Sequence, residues 1–281
     1  MNQGAASHRS LEPQGSRTYE ADRAFLFVGA VILFMACLVP PFSSYARRYE
    51  FVEALQFAIL AVVVPVLVVS GSPWRLLRIA AHLPPEDRDN AGSGANSLRL
   101  VDELAAHRRR HPEALRSVLF ASLFLAGVTL WRIPLTVDAL VRHPWLVGVE
   151  AVTLLMVGVG LWLELIESPP LSPRLSRPNR VALAAVSMWT IWVLAYLVGL
   201  SHGSWYDAYS HHPGRGLSLS ADQQLTTGMM WFVCGCAFIP VIFWNLIRWL
   251  QSEEDPDVEL HRLVRQDRTR GRSLDSGQTS P

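Results

Sequence analysis

Six apolar stretches, each long enough to cross a lipid bilayer, leave this chain few folds to choose from. They run over residues 24–40, 51–70, 117–135, 145–165, 181–200 and 225–250 of a 281-residue chain. A membrane span needs about 20 predominantly apolar residues. In lipid every backbone N–H and C=O must be satisfied within its own segment, so these stretches read as helices. Pro40, Pro65, Pro134 and Pro240 fall inside or beside them without spoiling that reading, because membrane helices tolerate proline through neighbours and local adjustment. The composition agrees. Half the residues are apolar and 17% are charged, where a soluble domain carries about a quarter; mean hydropathy is +0.22. The expected fold class is all-α, a polytopic membrane bundle of six transmembrane helices. Three cysteines, all within predicted helices, indicate no disulfide framework, and a net charge of +1 offers no bulk case for nucleic acid.

Orientation follows from arginine, which supplies all the basic residues. The side with the N-terminal tail, the loop 71–116, the loop 168–180 and the C-terminal tail, counted with Arg248 at the end of the last apolar stretch, carries 20 of the 25 arginines, including the run Arg108 to Arg110. By the positive-inside rule that side is expected to be cytoplasmic, with both termini inside. Residues 1–23 then form a polar cytoplasmic tail, with no cleavable signal peptide. Residues 24–250 form the membrane domain, including the cytoplasmic loop 71–116 and an outer loop 201–221. Residues 251–281 form a charged tail expected to be disordered. Within the first loop, Leu100, Val101 and Leu104 share one face of a short helix ending in Arg108 to Arg110. It either lies on the anionic inner leaflet or is simply solvated.

Ionisable residues in membrane helices are expensive and are functional candidates by default. This topology places Glu53, Gln56, Arg132 and Glu150 at one depth in the outer leaflet, on three different helices. Two acids and one arginine suggest an ion-paired cluster, since an unpaired buried charge is not sustainable. The alternative is that each side chain snorkels to water. For Arg132 the interior reading is favoured because its helix is expected to continue through Ile133-Pro134-Leu135. Asp222 opens the last helix and is expected to cap it. Glu164 and Glu167 are expected at the inner interface. Metal candidates are weaker. His202, His211 and His212 sit close together in the outer loop but lack a ligand spacing, and solvated histidines are equally ordinary there. Cys234 and Cys236, with Met229 and Met230, offer soft ligands for cuprous copper or plain apolar packing. No P-loop, dinucleotide fingerprint, zinc-protease motif or nucleophile elbow occurs, so no enzyme is expected.

The segment Asp222-Gln223-Gln224-Leu225-Thr226-Thr227-Gly228-Met229-Met230-Trp231, followed by an apolar run to Arg248-Trp249-Leu250, resembles the last helix of the bacterial cytochrome c oxidase assembly factors of the CtaG type. Leu130-Trp131-Arg132-Ile133-Pro134 is similar to that family's Leu-Trp-His-hydrophobic-Pro helix end. Residues 65–73 are similar to the end of its His-bearing helix, and Asp22 through Tyr45 resembles the helix before it. The resemblance covers roughly residues 20–251. Many members have seven spans, and this chain is expected to lack the first. The departures are specific. Where the family has His-Met-x-Gln-His, this chain has Glu53-Ala54-Leu55-Gln56-Phe57; Arg132 stands at the Leu-Trp-His histidine; Val147 and Ala151 stand at two further histidine positions around Glu150.

The resemblance implies an assembly or accessory factor for cytochrome c oxidase in the bacterial inner membrane, linked to copper-centre maturation near the outer face. Its implied partners are the lipid bilayer and either oxidase subunits or a copper chaperone. With five imidazoles replaced, no cofactor is carried over; copper stays open only through the weaker candidates above. The expected role is a scaffold. The alternative is a small transporter or channel using the outer-leaflet cluster, against which stand the almost wholly apolar inner halves of the helices. No histidine lies in any predicted span, which disfavours a haem held between helices.

Overall fold

The structure is a computed structural model that describes residues 14–74, 114–201, 205–210 and 216–253. Among these the architecture is all helical. In chain order the helices are α1 (Gln14–Leu38), α2 (Phe42–Ala46), α3 (Glu50–Gly71), α4 (Ala114–Arg132), α5 (Pro134–Arg142), α6 (Leu146–Leu165), α7 (Arg177–Gly199), α8 (Asp207–Ser210) and α9 (Leu219–Glu253). The short inner-leaflet helix, most of the loop 71–116, the three candidate histidines and most of the C-terminal tail lie outside the described residues. α3, α6, α7 and α9 are each long and apolar enough to cross a membrane, and α4 with α5 makes a fifth crossing if the bent pair is one span. The first apolar stretch of the sequence lies in α1, which begins ten residues earlier than that stretch, directly after Pro13.

α3 is the central helix. In its most apolar window 61% of residues are buried inside the protein, against 33–39% for α6, α7 and α9. Its first half packs on α9, its second half on α1, and α6 runs along it. α7 and α9 form the other extensive pair, where Trp192 stacks on Trp231 at 4.3 Å and Tyr196 meets the same indole edge-on at 4.8 Å. The core between them is filled by Phe57, Leu60, Leu154, Leu161, Trp162, Met230 and Phe238.

Two prolines shape the helices that matter most. Pro65 has no N–H to donate, and α3 answers with a π turn over Ile59–Val63, in which the N–H of Val64 reaches back to the carbonyl of Ile59. The widened turn presses on α6 at Gly158, where a Cβ would lie 2.6 Å from Pro65 Cγ and 2.9 Å from the Ala61 carbonyl. Pro134 acts more sharply. It holds Ile133 extended (φ −73°, ψ 146°), so α4 stops at Arg132 and α5 leaves at 63°. The expected continuation of that helix through Leu135 is therefore corrected. α5 instead joins α2 and α8 in closing one end of the bundle, the end where α3, α6 and α9 begin.

A side chain at position 158 should wedge α6 away from α3. Gly158→Val is expected to lower the unfolding temperature in detergent by several degrees, reflecting an overpacking cost of about 1–3 kcal/mol. Gly148→Ala, where nothing lies within 4 Å of the new Cβ, should leave it unchanged.

Candidate functional site

At the closed end, Arg132 and Glu53 meet. Arg132 Nη1 donates to Glu53 Oε2 at 2.5 Å, with side chains 1% and 6% exposed. Glu53 stands in the first turn of α3 and Arg132 is the last residue of α4, so the break before Pro134 places the guanidinium at a helix end. Two rings lie against it: Phe57 at 5.0 Å and Tyr206 at 5.4 Å. Both are cation–π distances. Arg132 is buried, as expected for a paired residue, but the cause is different. Cover comes from α8 and the aromatic rings, not from helix continuing past it.

Hydrogen bonds hold down α8 and Tyr206 just before it. Tyr206 donates its hydroxyl to the Arg132 carbonyl (3.1 Å), Tyr209 donates to the Ala46 carbonyl (2.8 Å), and the N–H of Ala208 donates to Asp138 Oδ1 on α5 (2.9 Å). Both tyrosines are fully buried, and burial raises both phenols above the ordinary tyrosine value, so they act as neutral donors. These residues were missed in the sequence as site components. The available signal was three aromatics, Trp205, Tyr206 and Tyr209, in an otherwise polar loop.

The rest of the expected cluster divides. Glu150 is buried beside the pair, within electrostatic reach of Glu53 and Arg132. Arg132 Nε and Nη2, Glu53 Oε1 and Glu150 Oε1 have no hydrogen-bond partner among the described residues. Gln56 shares a helix face with Glu53, three residues on, but one turn along α3 it meets α1, where it donates to the Cys37 carbonyl at 2.8 Å. Asp222 is buried but does not cap its own helix. Ser218 Oγ accepts from the Ala221 N–H there (3.2 Å), while Asp222 accepts from the N–H groups of Glu50 (3.1 Å) and Phe51 (2.9 Å) at the start of α3.

The other motif residues scatter by helix face. Gln223 is buried and Gln224 exposed; Met230 is in the core; Trp231 stacks on α7; Gly228 has nothing within 4 Å of its missing Cβ. Cys234 is buried and Cys236 exposed, so the two thiols do not share a face. Among the described residues no three His, Cys, Asp or Glu side chains group as a metal site. At the far end, Glu167 is exposed and pairs with Arg177 and Arg180, each at 3.6 Å. Glu164, one turn earlier, is fully buried and accepts from Ser117 Oγ at 2.9 Å. A buried hydroxyl on α4 gives that carboxylate a partner inside the bundle.

A family model for the cytochrome c oxidase caa3 assembly factors (Caa3_CtaG) matches residues 5–252. The chain belongs to that family. No curated protein and no solved structure matches it. A multi-pass, all-helical membrane protein of the Caa3_CtaG family is thus the setting of the Glu53–Arg132 pair.

Removing either partner leaves the other charge buried and uncompensated, which costs about 3–5 kcal/mol. In a double-mutant cycle on Glu53→Gln and Arg132→Gln, each single change should destabilise strongly and the double by clearly less than their sum. Strict additivity would mean the two charges do not depend on one another.

Proposed function

We propose that this chain is a scaffold in the assembly of cytochrome c oxidase, acting near the outer face of a bacterial inner membrane and serving copper-centre maturation without itself carrying the metal. In this reading six helices span the membrane with both termini cytoplasmic, α1 being the first span and α4 with α5 the third. The closed end with α2, α5 and α8 then faces outward. That orientation puts most of the arginines inside. The chain has no catalytic role in this reading, and its partners are oxidase subunits or a copper chaperone.

The observation that carries the reading is the Glu53–Arg132 pair. Both residues stand where the family pattern has histidine, and they bond to each other across α3 and α4. An ion pair in that place can join two helices, as a shared metal ion would, while offering no imidazole. The transporter alternative finds no support, since the interior between the two ends is filled chiefly by apolar side chains.

The test is a deletion strain complemented with wild-type or variant protein. Deletion should lower assembled oxidase several-fold, and detergent-purified wild type should hold far less than one copper per chain. Stoichiometric cuprous copper, lost on changing His202, His211 and His212 or Cys234 and Cys236, would replace the scaffold with a copper carrier. Normal oxidase in the deletion strain would remove the assembly role.

A further inference from the structure

α3 starts under a handicap. Its first N–H groups have no partner within the helix, a deficit every helix start shares, and its N-cap residue, Tyr49, makes no side-chain cap. The start is also buried, with Glu50 2% and Glu53 5% exposed, so water is a poor substitute. The missing acceptor arrives from 172 residues away in the sequence: the two oxygens of Asp222 take the N–H groups of Glu50 and Phe51. The carboxylate, 1% exposed, also meets the positive end of the α3 dipole.

Glu53 lies in that same first turn. Adjacent residues on a helix differ by about 100° in direction, so whatever fixes the turn fixes where Glu53 points. If the turn frays, both of its acids, Glu50 and Glu53, move, and Arg132 loses its bonded partner Glu53. The requirement is for a carboxylate: both oxygens accept here, and an amide would turn one of them into a donor aimed at an N–H.

We infer that Asp222 is the positioning residue of the site: capping α3 across the helix boundary, it holds Glu53 on Arg132. This gives the acid of the Asp222-Gln223-Gln224 motif a role on another helix. The inference rests on the pair being the working part of the scaffold, and the experiment separates the two.

Hydrogen exchange on the full-length protein in detergent reads the cap directly. Asp222→Asn should speed exchange at the Glu50 and Phe51 amides at least tenfold while the middle of α9 stays protected. In the same background the Glu53–Arg132 coupling from a double-mutant cycle should fall at least threefold when read as an unfolding constant. Asp222→Glu, which keeps both acceptors, should recover part of each. In the complementation strain Asp222→Asn should reduce oxidase, and combining it with Glu53→Gln should reduce it no further than Glu53→Gln alone. Unchanged exchange at Glu50 and Phe51, or unchanged coupling, would overturn the positioning role. If the cap behaves as expected but Glu53→Gln leaves oxidase intact, positioning stands and the functional reading of the pair fails.

Discussion

A guanidinium in an apolar bundle needs an anion, and the closed end of this protein is organised around supplying one. Arg132 takes one carboxylate as partner and lies within cation–π distance of two aromatic rings. Its backbone carbonyl is used as well, as the anchor for Tyr206. The surrounding elements follow from that demand. The break at Ile133 ends α4 at the charge, α5 supplies Asp138 to hold α8, and Tyr206, just before α8, supplies a covering ring. Buried ion pairs add little to stability compared with apolar packing, yet breaking one is costly. The pair therefore enforces one arrangement of α3 against α4 more than it strengthens the bundle.

Hydropathy made the long helices legible, because lipid leaves a spanning segment no alternative to the helix. It also made Glu53, Arg132 and Glu150 legible as companions, because their depths follow from segment order. Three features escaped it for definite reasons. Asp222 was assigned to its own helix start, since a sequence shows only the nearest unsatisfied N–H groups. The true acceptors lie on a helix 172 residues away. Gln56 was grouped with Glu53 by depth, and the two share a helix face, but one turn along α3 the neighbouring element changes, and its amide meets Cys37 on α1. The α4 end was drawn through Pro134 because membrane helices often tolerate proline. The extended preference of the residue before it decided the matter locally.

The two positions that the sequence resemblance matches to family histidines, Glu53 and Arg132, are the two the structure joins as an ion pair. A metal bound between helices and an ion pair between helices impose the same constraint, a fixed distance and orientation, through different chemistry. On the proposed reading the assembly role needs the constraint and not the metal. The rest of the interior fits a rigid support: Gly158 admits the π turn of α3, and the stacked Trp192 and Trp231 lock α7 to α9.

The most direct measurement is the charge swap, comparing Glu53→Arg, Arg132→Glu and the two combined for oxidase assembled in the complemented strain, with membrane levels of each protein recorded. If the attraction between these two positions is what the site contributes, each single swap should lose most of the assembled oxidase and the combined swap should recover a substantial part of it. A combined swap present in the membrane at wild-type level yet as inactive as either single would contradict that claim, because it would show that the particular groups, and not their attraction, are required.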